Sequence, residues 1–322
     1  MKKLFIKLAK ILGFEIIDQN QFYSPTLDKE LNEDLSLLNE KSIVLPLGEV
    51  KISRNVKSIS IIIRMNTEVE IWDQNKKRLF EQPKIEYSYR SIKSLIKSIN
   101  FCQNKNPKIK IKTFIIDDNS KDENLDRIKE LIKGKNIELV PLNHDDYKEL
   151  IKEQKSKETF SNLASLMKSF KIGWDQSEDL IFFVEDDYLH FEPMLEEMVA
   201  SYERIASQLN KDIFICPSDY PYLYMSNEKT NVLIGNKRHW RTVNKTLCTF
   251  MTSKYLLNKY WENFEKTCLD RNEPFEKYIN EIYEKEICLS PLKSLSLHMT
   301  NINSSYGLAP FIDYKKLWDE NK

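Results

Sequence analysis

Two short acidic segments each follow a run of apolar residues. Glu185-Asp186-Asp187 comes directly after Leu180–Val184 (LIFFV), and Asp117-Asp118-Asn119-Ser120 comes directly after Ile109–Ile116 (IKIKTFII). Carboxylates next to buried apolar residues are costly unless they are paired with a cation or bound to a metal. Oxygen ligands suit Mg²⁺ or Mn²⁺, which bind one or two carboxylates together with the phosphates of a substrate. These segments are therefore the first candidates for a functional site.

Each acidic segment also has a purely structural interpretation. Acidic residues are favoured at the start of a helix, so residues 185–187 could form a loop that caps the next helix. Asn119 or Ser120 could likewise be the N-cap of a helix around Leu125. A carboxylate in the first turn after a strand can also hydrogen-bond a ribose hydroxyl or the imino group of a base. For residues 117–120 the sequence favours neither interpretation over the other.

Apolar segments of strand length alternate with segments of helical periodicity along most of the chain. The predicted strands are Ser58–Arg64, Ile109–Ile116, Ile137–Pro141, Leu180–Val184 and Ile213–Cys216. The predicted helices are Tyr87–Phe101, Leu125–Ile132, Thr159–Ile172, Met194–Leu209 and residues 253–286, and residues 287–313 are expected to be largely irregular. This alternation indicates an α/β domain with a mostly parallel central sheet. Ligands of such sheets bind at the carboxyl ends of the strands, which is where both acidic segments lie.

The composition excludes several classes of protein. The chain has 322 residues, with 49 Lys and Arg against 49 Asp and Glu, and this zero net charge argues against a nucleic-acid partner. Only six glycines are present, which argues against a glycine-rich phosphate loop. The apolar fraction of 41% is sufficient for a full core. The cysteines are far apart and form no C-x-x-C pair, so we expect a cytoplasmic protein without disulfides.

The sequence divides into three parts. We expect an extension over residues 1–55, a main domain over residues 56–310 and a surface tail over residues 311–322. The first 16 residues predict an amphipathic helix, whose apolar face carries Leu4, Phe5, Leu8, Ile11 and Leu12. Such a helix could lie on an anionic membrane, giving peripheral contact with an inner membrane. It could also cover its own domain, and the sequence favours this second interpretation.

The order of the motifs resembles that of the GT-A glycosyltransferases of family 2. The chain has a strand followed by IIDDNS and, further on, FFVEDDYLH, HWRTVNKTLCTF and SPLKSLSLH, as in a bacterial subgroup of family-2-like transferases. The resemblance covers about residues 56–300. It implies a GT-A, Rossmann-like fold with helices around a mostly parallel sheet. It also implies transfer of a sugar from a nucleotide-sugar donor, most often a UDP-sugar, to a hydroxyl of a glycan or lipid-linked acceptor.

The resemblance assigns donor-binding roles to the ends of the first two strands. The end of the first strand lies near the nucleobase in the family, which points to Arg64 and Asn66. The acid that binds the base or the ribose would be Asp117 or Asp118. Asp186, in the second acidic segment, is a further donor-binding candidate.

The resemblance also implies a site for Mn²⁺ or Mg²⁺. The family's D-x-D motif, which holds the cation on the donor diphosphate, falls on residues 185–187. This chain has glutamate at the first position, so Asp187 is the stronger ligand candidate and Glu185 the weaker. In many GT-A enzymes a histidine late in the chain also touches the metal, and His298 is the natural candidate. The alternative is that His298 is a loop histidine without a ligand role. We expect His144 and His190 to be structural or exposed.

The segment His239–Thr246 is interpreted as a flexible loop rich in hydrogen-bond donors. Arg241 could neutralise the diphosphate, because a guanidinium matches phosphate oxygens well, and Trp240 could stack on a sugar face. The alternative is an ordinary basic surface loop.

Family-2 enzymes invert the sugar in a single displacement and use an Asp or Glu to take the acceptor proton. That base lies downstream of the D-x-D motif near the start of a helix, a region matched here by residues 270–276. The resemblance favours Glu276, which follows Pro274, and then Glu273 and Asp270. Pro274 fits a helix start, so Glu273 could instead be part of the helix cap.

Two other functions are compatible with this order of strands and acids. A nucleotidyltransferase shares the layout but needs a glycine-rich loop after the first strand, and the segment IIIRMNTE contains no glycine. A non-catalytic nucleotide-sugar-binding protein of the same fold would keep the donor site and lack the base.

Overall fold

The computed structural model describes residues 2–14, 36–39, 41–44, 48–68, 78–152, 156–225, 227–300, 302 and 304–322. The strands are β1 Ser36–Leu37, β2 Lys41–Val44, β3 Gly48–Lys51, β4 Ser58–Met65, β5 Lys110–Asp117, β6 Ile137–Pro141, β7 Leu180–Glu185, β8 Tyr188–His190, β9 Phe214–Ile215, β10 Val232–Ile234, β11 His239–Thr242, β12 Phe250–Ser253, β13 Cys288–Leu292 and β14 Ser296–His298.

The α-helices are α1 Lys2–Ile11, α2 Lys84–Lys105, α3 Asp122–Ile132, α4 Lys157–Gln176, α5 Met194–Leu209, α6 Lys254–Lys259, α7 Trp261–Leu269, α8 Lys277–Tyr283 and α9 Tyr314–Asp319. Short 3-10 helices cover His144–Tyr147 and Pro221–Tyr224. None of the helices within these described stretches is long and apolar enough to cross a membrane.

Among the described residues, nine strands form one central sheet in the order β10-β11-β13-β9-β12-β7-β4-β5-β6. The strands β7, β4, β5 and β6 are parallel neighbours, and so are β13 and β9. Antiparallel pairs join β12 to β7 and β9, and β11 to β10 and β13. Smaller antiparallel sheets contain β1-β2-β3 and β14-β8.

The central strands are buried on both faces because helices cover each side. In β4, Ile61 and Ile63 belong to the core beneath α2, α3 and α5, whereas Ile62 belongs to the core beneath α4, α6 and α7. β7 alternates in the same way, with Phe182 on the first side and Phe183 on the second. Such β-branched and aromatic runs are typical of doubly covered strands. The α/β fold with helices around a central sheet is therefore confirmed.

The prediction of a flexible loop over His239–Thr246 is wrong for its first half, because His239–Thr242 forms β11, which pairs with both β10 and β13. Further along, β13 and β14 lie in a stretch that otherwise has little regular structure. These strands are short and several of their side chains are polar, so they lack the apolar run that marks β4 and β7.

The C-terminal residues pack against the main domain. Trp318 is buried, its ring stacks on Phe80 with centroids 4.2 Å apart, and the guanidinium of Arg90 lies 4.1 Å from its centre. The prediction of a surface tail is therefore wrong for Leu317 and Trp318. Both side chains are buried, because removing their apolar surface from water is favourable. The division of the chain at residues 55 and 310 stays a prediction.

Glu203, a buried carboxylate in α5, binds the backbone at two places before β4. Glu203 accepts hydrogen bonds from the backbone N–H of Asn39 (3.0 Å) and of Val56 (2.6 Å). Burial raises the pKa of Glu203 to about 7, although these two N–H groups partly oppose the rise. The folded protein therefore binds a proton at Glu203 that the unfolded chain releases above its ordinary pKa of 4.5.

This raised pKa predicts a pH-dependent stability. The contribution of Glu203 to the free energy of unfolding is greatest below pH 4.5. It declines by roughly 3 kcal/mol as the pH rises to about 7. We expect Glu203→Gln to lose this decline, because glutamine does not ionise. Urea denaturation of both proteins between pH 4.5 and 7.5 measures the difference. The exposed Glu284→Gln should follow the wild-type curve. Parallel curves for the wild type and Glu203→Gln would contradict the prediction.

Candidate active site

The carboxyl ends of three adjacent strands place both acidic segments at one edge of the sheet. β4 lies between β5 and β7, and its register sets Met65 opposite Asp117 and Arg64 opposite Glu185. The N–H of Asp118 also donates to the carbonyl of Met65, at 3.0 Å. The predicted meeting of the acidic segments is therefore confirmed.

Asp186 is held by the start of α2 and the end of β4. The ammonium of Lys84 lies 2.5 Å from Oδ1, and the Ser88 hydroxyl donates to Oδ2 at 2.5 Å. The backbone N–H of Asn66 donates to Oδ2 as well, at 3.2 Å. Lys84 and Ser88 are one helical turn apart, so both face the same carboxylate. These contacts offset the free-energy cost of burying the Asp186 carboxylate.

Asp118 forms the centre of a second polar cluster. The amide of Asn66 donates to its Oδ2 at 3.1 Å, and the Ser161 hydroxyl donates to the same oxygen. His144 Nε2 lies 2.7 Å from Oδ1. His144, which was expected to be structural or exposed, is half-buried and reaches this cluster because the 3-10 helix after β6 carries it there. Asn66 contacts both Asp118 and Asp186 and so joins the two clusters.

Asp117 is part of the turn that leads from β5 to α3. Its Oδ1 accepts the N–H of Ser120 at 3.4 Å, and the Ser120 hydroxyl accepts the N–H of Thr67 at 3.2 Å. Burial raises the pKa of Asp117, and the hydrogen bonds from Ser120 oppose this. The N-cap of α3 is Lys121, so the predicted cap at Asn119 or Ser120 is wrong. Within this segment Asp118 makes the contacts with Asn66 and His144.

Glu185 forms an ion pair with Arg64. The guanidinium of Arg64 donates to Glu185 Oε1 at 2.8 Å and to Asn162 Oδ1 at 2.6 Å. Thr249 donates to the other oxygen of Glu185 at 3.2 Å. Burial raises the pKa of Glu185, and the charge of Arg64 counteracts it. The structure therefore shows Arg64 positioning Glu185, and its contact with a nucleobase stays a prediction.

Asp187 and His298 meet, although they are far apart in the sequence. β14 pairs with β8 and sets His298 opposite Tyr188, whose ring stacks on the imidazole with centroids 4.9 Å apart. His298 Nε2 then lies 3.2 Å from Asp187 Oδ2. Burial disfavours both charges, yet their mutual attraction holds the pKa of Asp187 well below its usual range and raises the pKa of His298.

The Asp187–His298 pair fits the donor set of a divalent cation. His298 Nδ1 lies 2.9 Å from the carbonyl of Tyr306, which accepts its N–H and directs Nε2 toward Asp187. Metal-binding histidines are oriented by this kind of hydrogen bond. Across the described ranges no group of three or more His, Cys, Asp or Glu side chains is arranged to hold a metal. A cation here would therefore complete its shell with phosphate and water oxygens.

Arg241 and Trp240 are neighbours on β11 whose side chains leave opposite faces of the sheet. Arg241 is buried, donates to Asp219 and lies 4.4 Å from the centre of the Tyr224 ring. Trp240 is completely buried in the core beneath α5. A Cβ atom at Gly235 would lie 2.2 Å from its indole nitrogen, so the two residues are in close contact. The predicted stacking of Trp240 on a sugar is therefore wrong.

The three candidate bases have different surroundings. Glu276 is half-buried at the start of α8. Burial, together with the charge of Glu276, raises the pKa of Tyr306 to about 12. Glu273 is exposed and pairs with Arg271 at 3.1 Å. Asp270 is exposed and accepts the N–H of Arg271 at 2.8 Å.

Several site residues were not found from the sequence. Lys84, Ser88 and Ser161 are common residue types on helices, and nothing in their spacing points to Asp186 or Asp118. Thr249 lies within HWRTVNKTLCTF, where nothing singles it out, and Tyr306 lies in a segment without a clear pattern. In contrast, His190 is structural as expected, since it is buried and its Nδ1 lies 2.7 Å from the hydroxyl of Ser296.

Comparison with known proteins gives structural similarities at low sequence identity. No family model matches the chain, and no curated protein sequence matches it. It is similar to residues 1–349 of TarS from S. aureus, with a TM-score of 0.42, 11% identity and coverage of 72% of this chain and 57% of that chain. The chain spans 35% of a longer TarS structure.

Two further solved structures are similar over comparable lengths. They are a galactosyltransferase, LgtC (TM-score 0.39, 9% identity, 71% of this chain and 72% of that chain), and the apo form of the glycosyltransferase GlyE of Streptococcus pneumoniae TIGR4 (TM-score 0.39, 11% identity, 83% and 60%).

The contacts of Asp186 predict that Lys84 is coupled to it energetically. Lys84→Met should lower the free energy of unfolding by about 3 kcal/mol, because it leaves a buried carboxylate without its cation. Lys84→Met combined with Asp186→Asn should be less destabilised than the two single changes added together. Urea denaturation of the four proteins measures this coupling. Lys129→Met, which breaks an exposed pair with Asp126, should cause no measurable change. Strictly additive effects would contradict the coupling.

Proposed function

We propose that this chain is a metal-dependent, inverting glycosyltransferase that moves a sugar from a nucleotide-sugar donor to a hydroxyl of a glycan or lipid-linked acceptor. The observation that carries the proposal is the meeting of Asp187 and His298 beside the cluster of Asp118, Asn66 and Asp186. This arrangement offers a cation site next to hydrogen-bonding groups suited to a nucleoside, at the sheet edge where such ligands bind.

The donor would extend along the carboxyl ends of β4, β5 and β7. Asp118 and Asn66 present a carboxylate and an amide that could bind a base or a ribose hydroxyl. The resemblance to family 2 makes a UDP-sugar the first donor to test. Lys84 and Ser88 hold Asp186 in place, so that this part of the site is ordered before the donor arrives.

Asp187 and His298 would hold Mn²⁺ or Mg²⁺ through one carboxylate oxygen and one imidazole nitrogen. The cation would stabilise the negative charge that develops on the leaving diphosphate. His298 would release its proton on binding the metal, because the nitrogen that faces Asp187 must then carry a free electron pair. The Tyr306 carbonyl keeps the other nitrogen protonated and the ring oriented.

Glu276 is the acid best placed to take the proton of the acceptor hydroxyl. It is half-buried at the start of α8, whereas Glu273 and Asp270 are exposed and bound to Arg271. A base that removes this proton makes the hydroxyl a stronger nucleophile, and the acceptor oxygen then displaces the diphosphate in one step with inversion.

Nucleotide binding tests the donor and metal sites together. Thermal unfolding with UDP, GDP, CMP or dTDP, each with and without Mn²⁺, should show stabilisation by one nucleotide only when Mn²⁺ is present. At a concentration about 100-fold above Kd, the rise in Tm should be roughly 5 °C. Asp187→Asn should abolish this rise while the protein stays folded. An unchanged rise in Asp187→Asn, or equal rises with and without Mn²⁺, would disprove the metal site.

Glu276→Gln separates catalysis from donor binding. Glutamine keeps the shape of the side chain but cannot accept a proton, so release of UDP from the donor sugar should fall by about 100-fold or more. The Mn²⁺-dependent stabilisation by UDP should remain. Glu273→Gln is the matched control and should leave both measurements unchanged. A wild-type protein that binds UDP with Mn²⁺ but releases none from any UDP-sugar would instead be a non-catalytic binding protein.

A further inference from the structure

The helix α1 carries a local positive charge in a chain whose total charge is zero. Its sequence, KKLFIKLAKI, contains four lysines and no acidic residue. The whole chain has 49 Lys and Arg against 49 Asp and Glu. Repeated lysines without neighbouring acids attract an anionic surface, because nothing on the helix neutralises them.

The apolar face of α1 is open to solvent. Leu4, Phe5, Leu8 and Ile11, with Leu12 after the helix end, each leave between 50% and 74% of their surface exposed. Ala9, at the margin of this face, is buried. The sequence favoured a helix whose apolar face covers its own domain, and the observed exposure contradicts that interpretation.

The end of α1 extends the apolar face. Gly13 has a φ of +82°, the left-handed conformation that closes many helices, and the N–H of Phe14 donates to the carbonyl of Ala9 at 2.9 Å. This closure ends the helix and leaves Phe14 70% exposed. Six large apolar side chains are therefore exposed within one short segment, where a folded domain normally buries most of them.

We propose that α1 docks onto an anionic lipid surface. The apolar face would lie in the boundary between the headgroups and the acyl chains, with the lysines at the level of the headgroup phosphates. A second copy of this chain could cover an apolar face, but it would bring two sets of lysines together without acids to pair them. An anionic bilayer satisfies both the apolar and the basic face of the helix.

The length of α1 defines how it would lie. A helix of ten residues extends about 15 Å, roughly half the thickness of the hydrocarbon core. It would therefore lie in the plane of the interface and not cross the bilayer. Such binding is reversible, because it depends on one short apolar face and a few charges.

Flotation with lipid vesicles tests the proposal on the full chain. The probes are vesicles of phosphatidylcholine alone and of phosphatidylcholine with about 30% phosphatidylglycerol. We expect at least tenfold tighter binding to the anionic vesicles, and a loss of that binding at high salt. Phe5→Ser with Leu8→Ser, and separately Lys7→Glu with Lys10→Glu, should each weaken binding at least tenfold.

Matched controls change similar residues elsewhere on the surface. Tyr255→Ser removes another exposed aromatic ring, and Lys108→Glu with Lys229→Glu reverses two exposed lysines. These controls should bind anionic vesicles like the wild type. Mn²⁺-dependent stabilisation by UDP, measured in parallel, reports the donor site independently of α1.

Three results would overturn the proposal. The first is equal binding to both kinds of vesicle, and the second is anionic binding that survives the changes in α1. The third is a lipid-free dimer that Phe5→Ser with Leu8→Ser converts to a monomer, since the apolar face would then be covered by a second copy.

Discussion

Three successive carboxylates at the end of β7 each have a cation from a different element. Glu185 pairs with Arg64 of β4, Asp186 with Lys84 of α2, and Asp187 with His298 of β14. Carboxylates at such a buried edge would be strongly unfavourable without these partners. The triplet therefore ties β4, α2 and β14 to the end of β7, and the geometry of the candidate site depends on these pairs.

The three ion pairs differ in whether the cation can be exchanged. A guanidinium or an ammonium group has no free electron pair for a metal, so Arg64 and Lys84 can serve only as partners of their carboxylates. Histidine can lose its proton near neutral pH, and its nitrogen then becomes a metal ligand. Within the triplet, Asp187 and His298 are thus the pair that could exchange an internal proton for a bound cation. The other two pairs would keep the surrounding backbone in place.

The sequence predicts the parallel half of the sheet well and the antiparallel half poorly. β4 and β7 are mostly apolar, and the second half of β5 is as well. Burial on both faces requires such runs, so the pattern and the structure agree. β11 has only four residues and mixes polar with aromatic side chains. Its alternation, which buries Trp240 and turns Arg241 toward Asp219, becomes apparent only once its neighbours β10 and β13 are known.

Site residues at strand ends were predictable because the end of a buried strand marks the edge of the sheet. This principle predicted the positions of Asp118, Asp186 and Asp187. The family resemblance, and not the strand pattern, pointed to His298. Their partners on helices were not predictable in the same way. The packing of α2 and α4 on the sheet brings Lys84, Ser88 and Ser161 to the site. That packing cannot be predicted from the local sequence around these residues.

The segment that follows β14 connects the two halves of the molecule. The carbonyl of Tyr306 orients His298 at the end of the parallel half, while its ring contacts Tyr220 and Tyr222, which follow β9. The negative charge of Glu276 reaches the same tyrosine from α8. A displacement of Tyr306 would therefore change the orientation of a candidate metal ligand and the electrostatic surroundings of a candidate base together. Through this tyrosine, the donor side and the acceptor side of the proposed reaction influence each other electrostatically.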